Sequence, residues 1–375
     1  MKILICAFSY LPDKNGVALA VDHHYKILKK LGHEVKIATG FNINRIKSED
    51  IFQFKVSGTG RIGNRIIGEK NEYIDFLVNG DFDYIFFHCW EIWSTELAID
   101  AFDRIVAKKV IFSHGTSFDL FKLSFLGVLR FLTFLPYRLS FYKRIEKFDF
   151  YVFLTSSTQN GRFSDYRYIK NKSKKNYSII SNVSNLGSIN FKIGFKEKFN
   201  IISSKLVICV ANYQKIKRQK LVAKIFLDAK IEDCSLVFFG SEKNDYYYEL
   251  QRLYGNYPNI FFLQEISKQD IHLAYLDADA FLMFSETEAQ PLVLLDCLAT
   301  NLPFVSSNVG CIHEIEGGLT TNSPQEASSL LRSVLLDSKL NLFLREAGKR
   351  EFEEKYSHHL LKDKFIFLLN ALLEL

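Results

Sequence analysis

The segment with the most chemistry in this chain is Phe284-Ser285-Glu286-Thr287-Glu288-Ala289-Gln290-Pro291-Leu292-Val293-Leu294-Leu295-Asp296-Cys297. It follows a strand-length apolar run and opens a helical one, so it reads as a strand-to-helix turn. Pro291 suits the first helical position, where its missing donor costs nothing. The amides of Ala289, Gln290 and Leu292 then lie at a positive helix end, which favours an anion such as a diphosphate. A carboxylate accepts two hydroxyl donors at once, so Glu288 and Asp296 each fit a vicinal diol. Taken singly, each acid would be an ordinary solvated surface group.

Three other places carry reactive side chains. Val210-Ala211-Asn212-Tyr213-Gln214-Lys215-Ile216-Lys217-Arg218-Gln219 puts cations into the turn after a strand, where most basic clusters are simply solvated. His114, in Phe112-Ser113-His114-Gly115-Thr116, stands at a strand end. Its imidazole either donates to a hydroxyl, orients a phosphate oxygen, or packs as a core or capping group. His24 and His88 read as packing residues, on an apolar helix face and on a strand. Gly16 occupies the turn before the first helix, where the lack of a side chain permits close approach of a ligand to the backbone.

The elements needed to hold these turns recur along the chain. Residues 3–8 read as a buried strand. Val17, Ala20, Val21, His24, Ile27, Leu28 and Leu31 follow at helical spacing, Gly32 caps the helix, and 35–38 resumes as a strand. Runs at 84–88, 109–114 and 150–154 repeat the rhythm. After a Lys-, Asn- and Ser-rich interval at 160–204 it restarts with strands at 206–210, 236–239, 260–263, 280–284 and 304–306 and a helix at 221–229. Such alternation predicts α/β architecture, with parallel sheets covered by helices. The expected domains are 1–190 and 191–355, with a last helix over 356–375 packing back toward the first. Ligands of open parallel sheets bind beyond the carboxyl ends of the strands, so two such sheets facing each other would form one deep cleft.

Composition narrows the partners. With 48% hydrophobic and 24% charged residues, the chain of 375 residues is neither a disordered nor a polytopic membrane sequence. A net charge of +6 suits nucleotide phosphates or anionic lipid, and no Lys/Arg stripe of the kind that binds nucleic acid is present. Cys6, Cys89, Cys209, Cys234, Cys297 and Cys311 are scattered without a Cys-x-x-Cys pair, and read as reduced core thiols. The short apolar start, Met1-Lys2-Ile3-Leu4-Ile5-Cys6, lacks the length and cleavage pattern of a signal peptide. A cytoplasmic location is expected.

The order Ser285-x-x-Glu288, Pro291, Asp296, then Pro303-Phe304-Val305-Ser306-Ser307-Asn308-Val309-Gly310 and Glu314 with Gly317-Gly318, resembles the retaining group-1 (family 4) glycosyltransferases. The resemblance implies the GT-B fold of two facing Rossmann-like domains. It also implies metal-independent transfer of a hexosyl unit from a UDP- or GDP-sugar to a hydroxyl of a glycan or lipid-linked acceptor, as in surface polysaccharide or glycoconjugate synthesis. No cofactor is implied beyond the nucleotide sugar, which is a co-substrate.

By the same resemblance Glu288 meets donor sugar hydroxyls, the amides of Ala289, Gln290 and Leu292 meet the diphosphate, and Asp296 binds the ribose. Lys217 matches the family's phosphate-binding Lys, Gly16 its close-approach glycine, and His114 the His beside the transferred sugar. Asp296 stands where the family usually has Glu, and Asn212 where Arg is common, with Lys215 or Arg218 as replacements. Two rival readings share the fold: a non-catalytic GT-B partner subunit and a nucleotide-sugar 2-epimerase.

Asp277-Ala278-Asp279 mimics the acidic metal motif of the other glycosyltransferase fold, but it reads as helix-boundary acids. Residues 121–150, flanked by Phe118, interleave Phe121, Leu123, Phe125, Leu126, Val128, Leu129, Phe131, Leu132, Phe134 and Leu135 with Lys122, Arg130, Arg138, Lys143 and Arg144. The stretch is too interrupted to span a bilayer. Two readings remain open: it lies on the anionic inner face of the membrane, or it is a buried helix with a basic face.

Overall fold

Apolar runs buried on both faces become the inner strands of two parallel sheets. The computed structural model describes residues 1–59, 64–118, 125–157, 161–173, 175–184, 186 and 193–375. The chain divides into Met1–Asn182 with Leu361–Leu375 (unit 1), and Val183–Leu360 (unit 2). The divisions fall at 182/183 and 360/361, where the sequence suggested 190/191 and 355/356. Residues 119–124 and 187–192 lie outside the described residues, and with them Phe121, Lys122 and Leu123.

In unit 1 the chain runs β1 (Lys2–Ala7), α1 (Gly16–Lys30), β2 (Glu34–Gly40), β3 (Ile51–Phe54), the hairpin strands β4 (Val56–Ser57) and β5 (Ile67–Gly68), α2 (Lys70–Asn79), β6 (Tyr84–His88) and α3 (Trp93–Ile99). It continues through β7 (Lys108–Ser113), α4 (Phe125–Thr133), α5 (Leu135–Ile145), β8 (Phe150–Phe153), α6 (Ser164–Lys172) and β9 (Tyr177–Ile179). The main sheet has the order β3-β2-β1-β6-β7-β8-β9. Ile3 pairs with Val35 on one side and Tyr84 on the other, so the direction of winding reverses between β1 and β6. Asn15 starts α1 by accepting the Ala18 amide at 3.0 Å.

Unit 2 contains α7 (Phe195–Lys198), β10 (Lys205–Val210), α8 (Gln219–Asp228), β11 (Cys234–Gly240), α9 (Asp245–Tyr254), β12 (Ile260–Gln264), α10 (Lys268–Asp277) and β13 (Ala280–Met283). These are followed by α11 (Leu292–Ala299), β14 (Phe304–Ser306), β15 (Gly318–Thr320), α12 (Pro324–Leu336) and α13 (Ser338–Glu351). Its sheet order is β12-β11-β10-β13-β14-β15, a doubly wound arrangement whose switch point lies between β10 and β13. The last helix, α14 (His358–Leu373), buries Leu361, Phe365, Leu368, Leu369 and Leu372. Within unit 1 the Tyr84 hydroxyl donates to the Leu372 carbonyl at 2.8 Å.

Candidate functional site

The turns with the most chemistry fall at the two switch points. In unit 2 the loop after β10 and the loop after β13 lie side by side, joined by the Glu286 amide donating to the Ile216 carbonyl at 2.8 Å. This brings Lys217 Nζ to 2.7 Å from Glu288 Oε1. Arg218 lies 3.8 Å from Glu286, a partner the sequence did not single out. Arg218 also has φ +52°, a left-handed conformation that costs a side-chain-bearing residue about 1–2 kcal/mol. Asn212 serves the loop through its backbone, its carbonyl accepting from buried Gln219 at 2.9 Å.

The loop after β13 is fixed from beneath. Gly310 has φ +63°, and a Cβ there would stand 2.4 Å from the Glu288 carbonyl oxygen and 2.5 Å from that of Ala289. Only glycine permits that approach. The next amide, Cys311, donates to the Ala289 carbonyl at 3.1 Å, and Ser307 Oγ donates to the Ser285 carbonyl at 2.7 Å.

Pro291 does not take the first helical place expected of it. With ψ 120° it is still extended and forms the N-cap, and α11 begins at Leu292. The amides of Leu292 and Val293 therefore head the helix without intrahelical partners, while Ala289 and Gln290 belong to the loop before it. Asp296 lies about one turn in. Rather than facing solvent as a helix-surface acid, it is 8% exposed and accepts from Ser184 Oγ at 2.7 Å. Ser184 sits in the polar interval, with no periodicity to mark it.

In unit 1, Gly16 is the first residue of α1 and the loop before it is knitted by side chains. Ser9 Oγ donates to Asp13 at 2.8 Å and Asn15 Nδ2 to Ser9 Oγ at 2.7 Å. Arg45, buried, donates to the carbonyls of Tyr10 at 2.8 Å and Leu11 at 2.7 Å, to that of Gly40, and to Gln53 Oε1 at 2.8 Å. One guanidinium thereby joins the loops after β1 and β2.

His114 follows β7, half-buried, with its Nε2 3.0 Å from Nδ1 of His88 at the end of β6. His88 is therefore more than the packing residue expected from sequence, although it does stack on Phe112 with centroids 4.9 Å apart. The parallel register explains the meeting: His88 is opposite Phe112, and His114 projects from the same face two residues on. His24 packs against His88, Phe112 and Phe365. Burial pushes the pKa of His24 and His88 well down, and burial with the nearby Arg162 charge brings His114 to about 4. All three rings are neutral at pH 7.

The segment around His114 is rigidly held. Buried Asp165 accepts from Ser113 Oγ and, at 2.7 Å, from Trp90 Nε1. The Glu91 carboxylate accepts the amides of Ser117 at 2.6 Å and Phe118 at 3.0 Å. Glu91 and Cys89 have φ of +63° and +70°, so strain is concentrated at this strand end.

Asp277 and Asp279 bind backbone amides, of Lys196 at 3.1 Å and Leu206 at 2.8 Å. Among the described residues no group of three or more His, Cys, Asp or Glu is placed to hold a metal ion. On α4 and α5, Arg130 donates to the Ser117 carbonyl, Arg138 lies over Phe131 at 4.0 Å, and Arg144 pairs with Glu96. These arginines face inward, whereas Val128, Leu129, Leu132, Leu135 and Leu139 are exposed. Among the described residues no helix is long and apolar enough to cross a membrane.

The sequence and fold are similar to those of known proteins. Residues 192–351 match the family described as glycosyl transferases group 1. A 134-residue stretch is 27% identical to the sulfoquinovosyl transferase SQD2 of Arabidopsis thaliana, over 33% of this chain and 26% of that protein. A 177-residue stretch is 29% identical to the N-acetyl-alpha-D-glucosaminyl L-malate synthase of Bacillus anthracis, over 43% and 45%. The chain thus spans under half the length of both relatives. Over 99% of this chain and 100% of the other, the fold is similar to that of Anabaena Alr3699/HepE, solved with UDP and glucose, at a TM-score of 0.72 and 13% identity.

Proposed function

We propose that this chain, a group 1 glycosyl transferase by its second unit and GT-B by its fold, moves a hexosyl unit from a UDP- or GDP-sugar to a hydroxyl of a glycan or lipid-linked acceptor, with retention and without a metal. The observation that carries this reading is the Lys217–Glu288 pair at the switch point of unit 2, beside the amide-bearing start of α11. An ammonium and a positive helix end stabilise the charge of a departing diphosphate. When phosphate oxygens take over Lys217, Glu288 is released to accept sugar hydroxyls. Asp296, oriented by Ser184, accepts the ribose diol. Arg218, on its strained backbone, is the cation that replaces the one absent at Asn212. In unit 1, neutral His114 offers a donor to a sugar hydroxyl, and Gly16 gives access to backbone amides.

The test is a thermal-shift screen of UDP-, GDP- and ADP-sugars, followed by transfer assays with the binder. A donor at 100 times its Kd should stabilise the fold by about 2.7 kcal/mol. Absence of any shift and of turnover across the three donors would support a non-catalytic partner subunit, the reading that Asn212 favours.

The exposed apolar row on α4 and α5 supports a site at the inner face of a membrane, where a lipid-linked acceptor would be met. Vesicles containing anionic lipid are expected to co-sediment the protein, and Leu132→Asp with Leu139→Asp to abolish this. Equal pelleting with and without lipid would overturn it.

A further inference from the structure

The contact between His88 and His114 has a direction. With both rings neutral, one proton lies between two nitrogens 3.0 Å apart. If His114 carried it on Nε2, His88 would carry its own proton on Nε2. That atom is buried and has no hydrogen-bond partner. A buried N–H without an acceptor is rarer and costlier than a buried lone pair without a donor. The neighbouring groups are rings: Phe112 stacked on one face and His24 with its centroid 5.2 Å away. No acceptor for a His88 Nε2–H is found among these contacts.

We propose that His88 is the positioning residue of the transfer site in unit 1, donating from Nδ1 to Nε2 of His114 and so fixing His114 as its Nδ1–H tautomer. His114 then meets its ligand only as a hydrogen-bond donor. It can hold a sugar hydroxyl or phosphate oxygen by that oxygen's lone pair, and it cannot serve as the base that removes a proton. The role assigned to His114 as donor rests on the function proposed above; the tautomer itself does not.

The experiment uses the full chain with 15N-labelled histidine and long-range 1H–15N correlation at pH 7. Protonated Nδ1 on both His88 and His114 is expected, whereas a protonated Nε2 on His114 overturns the proposal before any variant is made. In His88→Asn the amide nitrogen stands in for Nδ1, so His114 should keep its tautomer and kcat should stay within about threefold. His88→Leu removes the donor. His114 Nε2 is then left with an unpaired lone pair that no longer orients the ring, and kcat should fall about 10-fold, the scale of one lost hydrogen bond, with the affinity for UDP or GDP unchanged. An unaltered kcat in folded His88→Leu also overturns it. Nδ1 protonation of His114 in a protein that turns over no donor upholds the pairing and counts only against the transfer reading.

Discussion

Lys217→Ala is expected to lower turnover of the nucleotide sugar about 10²–10³-fold while leaving the fold in place, the usual effect of removing one preorganised electrostatic group. The two consequences separate because the environment of Lys217 is asymmetric. Its side chain is 27% exposed and its partner Glu288 is 12% exposed, so the resting ion pair is partly screened and contributes about 1 kcal/mol or less to stability. The same ammonium facing a departing diphosphate stabilises charge that develops only in the transition state. Glu288→Ala should also lose turnover, through the sugar hydroxyls. Because the two groups are in direct contact, the double variant should lose much less than the product of the single effects. Initial rates and thermal melts of the three variants measure both quantities. A Lys217→Ala enzyme within a few-fold of the parent would remove the ammonium from the mechanism.

Acid should weaken unit 1 well before ordinary carboxylates protonate. His24, His88 and His114 have folded-state pKa values below the unfolded value of about 6.5. Each therefore contributes its full stability above that pH. The contribution is lost as pH falls below it, because the unfolded chain takes up protons that the buried rings refuse. At pH 5 the loss for His114 is about 2 kcal/mol, on a total stability of roughly 5–15 kcal/mol, and His24 and His88 act in the same direction. For His114 the loss levels off near pH 4. Glu96 and Asp165 oppose this trend: burial raises their carboxyl pKa values, so the folded state takes up their protons first. Urea unfolding at pH 7 and pH 5 reads the net effect, and His24→Phe should make the dependence shallower. A pH dependence left unchanged in His24→Phe would contradict the burial of His24 as a neutral ring.

The inner strands could be read from sequence because both their faces are buried, which leaves unbroken apolar runs such as Tyr84-Ile85-Phe86-Phe87-His88. The edge strands β3, β9 and β15 could not. They have four, three and three residues, and β9 lies within the polar interval between the two alternating segments. The site divides in the same way. Features carried by one turn, such as the cations before α8 and the Glu-to-Asp spacing at α11, are visible locally. Pro291 was displaced by one residue, since composition marks a helix start less sharply than ψ does. Contacts between distant segments left no local trace: Ser184 and Asp296 are 112 residues apart. His88 and His114 become neighbours only once β6 and β7 are paired in register.

The Arg45 bridge separates shape from lettering on one rim of unit 1. Its acceptors include the main-chain carbonyls of Tyr10, Leu11 and Gly40, together with Gln53 on β3 and, at 3.5 Å, the carboxylate of Asp13. None belongs to the side chains of Ile43 and Ile46, which stand 84% and 86% exposed on the loop that Arg45 secures. The path of that loop is thus set by Arg45 and its mostly main-chain acceptors, while the side chains of Ile43 and Ile46 stand clear of them. Sequence divergence can alter what this rim touches without disturbing how it is built.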